Sequence, residues 1–415
     1  MIDKSKKLQL SEKVVTIPEA LSVYMNNVVY AMRRRGDDIK VLSLGEAYFD
    51  IPMYSFEALD FTRGYHYSES RGMPELRQII ADYYQKHYSA GIDPENEILI
   101  SAGSKPLIYM AFQAVLNAGD EVLIHEPAWL SYQEEIKLAD GIPCFIPYDC
   151  PVADFPRYFT DKTRIVVINN PNNPAGRIYT KEELELLYSL CRPRGIYILV
   201  DEAYSDFVVD QPFTSMINIV PDKDGIIVVN SLSKNMGISG WRIGYVVSTP
   251  EVIFQILKLN QHLITCPATI LCMYLIKYFD DFMRVTLPQA QEVVKKRAAV
   301  VDFMKSIGLS PMEGSGTFYT FVSIDGYGHS SLDLAYYLLM KYHIAVVPGS
   351  AYGESTGRFI RIGIGTESME SLQASLRIIK RVLEQDEFDP QLIDRELKSL
   401  NMNRFVNAQS AQPGK

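Results

Sequence analysis

Through the middle of the chain, short apolar runs rich in β-branched residues alternate with stretches whose apolar positions recur at helical spacing. E-I-L-I-S (97–101) precedes K-P-L-I-Y-M-A-F-Q-A-V-L, E-V-L-I (121–124) precedes S-Y-Q-E-E-I-K-L-A, and R-I-V-V-I-N-N (164–170) precedes T-K-E-E-L-E-L-L-Y-S-L-C. In the last of these Thr180, with Glu183 three residues on, predicts a capping box at a helix start. Y-I-L-V (197–200) and I-I-V-V-N (226–230) are further buried-strand patterns. Strands that alternate with helices predict βαβ units: an α/β fold with a mostly parallel sheet covered on both faces. In such sheets chemistry gathers at the carboxyl ends of the strands.

After about residue 290 the pattern changes. A charged helical stretch, Q-E-V-V-K-K-R-A-A-V-V-D-F-M-K, leads to F-Y-T-F-V-S-I, a further helix, I-A-V-V-P-G and R-F-I-R-I-G-I. This reads as a smaller α+β domain. The expected organisation is an N-terminal arm over 1–47 that joins the small domain, a large domain over 48–288, the small C-terminal domain over 289–388, and a polar tail over 389–415 whose last dozen residues are disordered.

Composition narrows the partners. With 47% hydrophobic and 22% charged residues, the 415-residue chain has the make-up of a packed protein. A formal net charge of −9 argues against nucleic acid as the main partner. Apolar runs all fall short of the ~18 residues a membrane span needs. The five cysteines, Cys144, Cys150, Cys191, Cys266 and Cys272, form no C-x-x-C pair, which predicts reduced thiols and a cytoplasmic protein. The isolated histidines offer no zinc-site spacing.

Polar residues at the strand ends then carry the functional reading. Ser101-Ala102-Gly103-Ser104-Lys105 is, alone, a turn with an N-cap; in company it can present N–H groups to an anion at a helix start. Trp129, just past another strand end, is either core or a plate for a flat ring. The loop Asn169-Asn170-Pro171-Asn172-Asn173-Pro174-Ala175-Gly176 carries amides that fold the turn or donate to a ligand. Asp201 ends an apolar strand, where a carboxylate is costly without a cationic partner. Tyr204 lies just beyond it, and Ser231, Ser233, Lys234 and Arg242 lie beyond the next strand. A phosphate cradle, a stacking ring, a buried carboxylate, a phenol, a lysine and an arginine together suit a phosphorylated aromatic aldehyde bound to the lysine.

In P-N-N-P-A-G, D-E-A-Y and S-L-S-K-N-M-G-I-S-G-W-R-I-G-Y the chain resembles the fold-type-I, pyridoxal-phosphate-dependent enzymes, and among them the class I/II aminotransferases, from about residue 17 to 385. The resemblance implies a seven-stranded-type sheet, pyridoxal 5′-phosphate as cofactor, and an amino group moved between an L-amino acid and a 2-oxo acid. It implies Lys234 as the Schiff-base lysine, Asp201 as partner of the pyridine nitrogen, and Tyr204 and Asn173 as donors to the ring oxygen. Gly103, Ser104, Lys105, Ser231 and Arg242 match the phosphate cup, and Trp129 the ring-stacking position. Tyr67 matches a tyrosine that reaches the partner subunit's phosphate, which implies a homodimer with active sites at the interface. Arg361 matches the arginine for the substrate α-carboxylate, with Arg358 as the competing choice, and Gly45 a glycine whose backbone lines that site.

The chain departs from the family pattern after Gly45, where Ala47 and Tyr48 stand in G-E-A-Y-F in place of the usual G-E-P-D-F. That leaves the cofactor chemistry alone and puts the substrate in doubt. Lys105-Pro106 replaces a commoner Lys-Gln and is expected to be harmless at the first position of a helix. Tyr48, Phe49, Phe318 and Tyr319 either line an apolar substrate pocket or belong to the core. A lyase, cyclase, decarboxylase or oxidase on the same cofactor is the alternative reaction class, since all use the same electron sink and differ in how the bonds at Cα are held.

Overall fold

A computed structural model describes residues 8–209 and 211–405. Seven strands form the large sheet: Ile98–Ser101 (β1), Glu121–His125 (β2), Ile142–Ile146 (β3), Thr163–Asn169 (β4), Tyr197–Asp201 (β5), Ile226–Ser231 (β6) and Gly244–Val247 (β7). Their order is β1-β7-β6-β5-β4-β2-β3. β7 runs antiparallel to both neighbours and every other pairing is parallel. The apolar runs lie within this sheet because both of its faces are covered. Leu76, Ile80, Leu184 and Leu187 pack on one face, and Leu107, Ile108, Ile136 and Ile253 on the other. Each such side chain, fully withdrawn from water, contributes about 1.5–3 kcal/mol.

Two strands are absent from the sequence expectation. β3 contains Pro143 and a well-exposed Ile142; an edge strand with a proline gives a weak pattern. β7 is only four residues long and begins at Gly244. That glycine is required by close approach: a Cβ there would sit 2.5 Å from the Ser104 N.

A second sheet holds Tyr319–Ser323 (β8), Val347–Pro348 (β9) and Phe359–Gly363 (β10), in the order β9-β10-β8, all antiparallel. The N-terminal segment joins it by packing rather than by sheet extension. The helix Leu21–Arg35 buries Met25, Val28, Val29 and Met32 among Leu334, Leu338 and Ile362, and Lys40–Val41 pairs with Ile344–Ala345. The helix Thr269–Ser306 spans both cores, with Cys272 to Met283 in the large one and Ala290 to Met304 in the small one. The boundary expected at 288/289 therefore falls inside a continuous helix, at Pro288.

The tail expected from 389 differs from its polar reading. Pro390–Ser399 is a helix capped by the Asp389 side chain, and Ile393 and Leu397, one turn apart, are buried. Residues 406–415, which include most of the stretch expected to be disordered, lie outside the described residues. Pro106 also differs: the helix begins at Ser104, so the proline is its third residue, where the missing N–H would lack an intrahelical partner anyway.

One buried cation ties the two sheets together. From the long helix, Arg297 donates to the carbonyls of Tyr319 (2.6 Å), Gly314 (2.5 Å) and Ala175 (3.0 Å). Removing it strands three buried acceptors. Arg297→Met, similar in length, is expected to cost about 3 kcal/mol, read from urea unfolding; a loss below about 1 kcal/mol would contradict this role.

Candidate active site

The carboxyl ends of β1, β4, β5 and β6 meet the second sheet around a cavity of about 390 Å³. Its wall includes Gly45, Ser104, Lys105, Trp129, Asn173, Asp201, Tyr204, Ser231, Ser233, Lys234, Arg242, Tyr319 and Arg361. Of the residues expected from sequence, all but two line it. Gly103 lies immediately behind: it has φ +93°, and a Cβ there would strike the Arg242 guanidinium. Tyr67 lies outside this chain's cavity and is 86% exposed.

Local folding explains how each group arrives. The asparagine loop is held by its own amides. Asn172 donates to the Pro127 carbonyl (2.8 Å) and accepts from Ala175 N (3.0 Å), while Asn169 accepts from Asn173 N (2.6 Å). That spends Asn169 and Asn172 on structure and leaves the Asn173 side chain facing the cavity. Ser231 caps the short helix Leu232–Asn235 by accepting from Ser233 N (3.1 Å), which carries Lys234 off the end of β6. Arg242 adopts φ +56°, a conformation few side chains accept. It donates to the Ser239 carbonyl (2.7 Å) and approaches Ser233 Oγ (3.4 Å).

Electrostatics at the base are set by burial. Lys234 Nζ donates to the Gly45 carbonyl (2.7 Å), and desolvation lowers its pKa from 10.5 to about 8. Asp201 is pushed upward by burial and held back by two donors, the Tyr132 hydroxyl (2.7 Å) and Ala203 N (3.0 Å). Burial holds the Tyr204 phenol well above its ordinary range.

Arg361 and Arg358 have separate roles in the fold. Arg361, 4% exposed, donates to the Ser43 carbonyl (2.7 Å) and Asn173 Oδ1 (3.2 Å). Its guanidinium lies over the rings of Tyr319 (4.4 Å) and Tyr352 (5.4 Å), and its Nε has no partner among the described residues. Arg358 instead donates to the carbonyls of Ile324, Tyr327 and His329 and holds a turn. Phe318 is core, with Tyr204 and Phe207 edge-on to it, whereas Tyr319 reaches the cavity. Tyr48 is exposed and Phe49 stacks on Phe207.

Sequence reasoning missed Tyr132 and Glu135. Both are buried on the helix Ser131–Leu138, Tyr132 against Asp201 and Glu135 with one carboxylate oxygen unpartnered among the described residues. The available signal was their spacing: with Ile136 they lie on one face of the helix, so that face carries a phenol and an acid where a fully apolar stripe was expected. No group of three or more metal-ligating side chains occurs among the described residues, and none of their helices is long and apolar enough to cross a membrane.

Comparison with known proteins agrees with this geometry. The family model for aminotransferase class I and II matches residues 42–378. An aspartate aminotransferase of Pyrococcus horikoshii is 34% identical over 357 residues, covering 83% of this chain and 90% of that protein. Among solved structures, the aspartate aminotransferase of Thermus thermophilus with maleate superposes with a TM-score of 0.82 at 27% identity, over 91% of this chain and all of that one. The aromatic aminotransferase of Pyrococcus horikoshii gives 0.77 at 28% identity, over 86% and 99%. The names of these three do not favour the alternative reaction classes.

The lowered lysine makes a pH prediction for the ligand-free protein. Between about pH 8 and 10.5 the unfolded chain holds the Lys234 proton and the folded chain does not, so this group's contribution to stability rises with pH through that window. The gap in urea midpoint between the natural protein and Lys234→Met is expected to shift in favour of the natural protein as pH rises from 7 to 10. Parallel profiles would contradict it.

Proposed function

The chain belongs to the class I and II aminotransferases, and from that premise we propose that it moves an amino group between an L-amino acid and a 2-oxo acid with pyridoxal 5′-phosphate seated in the cavity. One observation carries the reading: a near-neutral lysine amine, a buried carboxylate, a phenol, an amide and an arginine converge on one 390 Å³ space.

The donor set fits that cofactor. Lys234, with a pKa near 8, has an amine free enough to hold its aldehyde. The Asp201 carboxyl is met by two neutral donors and by no cation at hydrogen-bond distance among the described residues, which suits a protonated ring nitrogen. Gly103, Ser104, Lys105, Ser231, Ser233 and Arg242 surround a space for the phosphate, where the arginine fork gives two-point binding. Trp129 forms a side wall, with the Lys105 ammonium 4.8 Å from its ring centre. When bound, pyridoxal phosphate supplies an electron sink for the charge left at the substrate Cα.

The chain's own groups then divide the work. Arg361 binds the substrate α-carboxylate, with its plane fixed by Tyr319 and Tyr352. Gly45 lends its backbone to the same end; a Cβ there would stand 3.3 Å from the Tyr319 hydroxyl. Lys234 Nζ takes the proton from Cα and returns it on the other side of the transfer, a task suited to a base near neutral pH. Tyr204 and Asn173, both on the cavity wall, would donate to the cofactor's ring oxygen. The outward-turned Tyr67, with Met53 and Tyr65 also exposed, supports a homodimer in which Tyr67 reaches the second copy's phosphate site. Five free cysteines support a cytoplasmic location. The two sheets with their helices support a division into a large and a small domain.

The four cations among the described wall residues, Lys105, Lys234, Arg242 and Arg361, are all taken by the phosphate, the aldehyde and the α-carboxylate in this reading, which leaves none for a substrate side-chain carboxylate, and the wall also includes Val23 and Tyr30. Neutral side chains are therefore expected to be preferred over acidic ones. Incubation with a panel of amino acids and a 2-oxo acid acceptor is expected to give stoichiometric 2-oxo acid without ammonia or peroxide. Lys234→Ala is expected to lower turnover at least about a hundredfold. Release of ammonia, or normal turnover by that variant, would overturn the mechanism. A tenfold preference for aspartate over phenylalanine and leucine would overturn the side-chain reading.

A further inference from the structure

We infer that Tyr319 is a positioning residue that aims the Tyr204 proton into the cavity and links it to Arg361. The inference rests on the cofactor reading above.

Among the described residues the Tyr204 hydroxyl has two hydrogen-bond neighbours, Asn173 Nδ2 at 3.5 Å and the Tyr319 hydroxyl at 3.1 Å. The amide nitrogen can only donate. A phenol has one proton and can accept from others, so the direction of the Tyr204–Tyr319 bond decides where the Tyr204 proton points. If Tyr204 donated to Tyr319, its proton would be spent inside the protein. The surroundings of Tyr319 favour the reverse. The Tyr319 side chain is fully buried, its hydroxyl has no other partner among the described residues, and the Gly45 backbone closes one side of it. Donation to Tyr204 is then the one use for its proton within the described chain. The Arg361 guanidinium, 4.4 Å above the ring, draws electron density from it and strengthens the O–H as a donor. The residue is also fixed from outside: its carbonyl accepts from Arg297 Nε (2.6 Å) and its N–H donates to Thr317 Oγ1 (3.3 Å).

Four side chains thereby close a ring. Arg361 reaches Asn173 by a hydrogen bond (3.2 Å) and Tyr319 through its ring face, and both reach the Tyr204 hydroxyl. The carboxylate-binding arginine and the donor to the cofactor oxygen are connected by two routes, and Tyr319 is one of them.

Tyr319→Phe removes a single oxygen and keeps the ring under Arg361. The readout is the pH at which the visible band of the protein titrates after loading with pyridoxal phosphate. Without the Tyr319 donor, Tyr204 is a weaker donor, the cofactor's ring oxygen keeps more charge, and the neighbouring nitrogen holds its proton more tightly. The midpoint is expected to rise by about 0.5–1 pH unit, the equivalent of one net hydrogen bond. KM for the amino acid is expected to stay within about twofold, whereas Tyr319→Leu, which removes the ring as well, raises it. Tyr204→Phe is expected to shift the midpoint at least as far, and Tyr204→Phe with Tyr319→Phe no further than Tyr204→Phe alone, because the second oxygen acts through the first. A normal wild-type band with an unmoved Tyr319→Phe midpoint, or additive shifts in the double variant, overturns this inference alone. No titrating band in the natural protein overturns the cofactor reading, and this inference with it.

Discussion

Taking the Lys234 amine and the Asp201 carboxylate out of water is costly, and at hydrogen-bond distance each is met by dipoles and by no opposite charge among the described residues. The amine rests on a backbone carbonyl, while the carboxylate accepts from a phenol and a backbone N–H. Dipoles offset only part of the desolvation, which is why burial drives the lysine down and the aspartate up. A ligand with a carbonyl for the amine and a protonated nitrogen for the carboxylate would relieve both. Much of the remaining architecture keeps these two groups dry, fixed and facing one space.

That space is assembled from two sheets. The large sheet supplies its base from the carboxyl ends of its strands, and β8 and β10 close it with Tyr319 and Arg361. The contacts across the seam are short and polar: Arg361 to Asn173, Tyr319 to Tyr204, and Arg297 from the shared helix to both Ala175 and Tyr319. Farther out, Glu126 past the end of β2 accepts from the backbone of Glu354 and Ser355, and Ala128 N donates to the Tyr352 carbonyl (2.8 Å). The segment that carries Tyr352 over Arg361 is thus docked on the large sheet. A change at this seam moves Arg361 relative to Lys234, and reactions held by geometry are sensitive to such shifts.

Much of this was legible in the chain. Runs such as R-I-V-V-I and I-I-V-V-N have no reading but buried strand, and the residues just past each run are polar in a way turns alone do not require. The Lys234 and Asp201 positions could therefore be found from sequence alone. Other features resisted for physical reasons. β3 carries a proline at an edge, and β7 is short and opens on a glycine needed for backbone contact. Tyr132 sits in an ordinary amphipathic helix and gains its meaning only by packing against Asp201 from another strand. Arg358 could not be set apart from Arg361 by its local sequence, because the turn that occupies it is formed by residues distant in sequence. The helix Pro390–Ser399 was hidden by polar composition, since two buried residues one turn apart suffice to dock it.

The central claim is that the Lys234 amine and the cofactor's aldehyde share one covalent site opposite Asp201. The most direct test is to load the protein with pyridoxal phosphate, reduce it with borohydride, digest it and locate the added mass by sequencing mass spectrometry. The account predicts a single stoichiometric adduct on Lys234, lost when the lysine is replaced by methionine. An adduct spread over surface lysines, or one centred on Lys105, would contradict it.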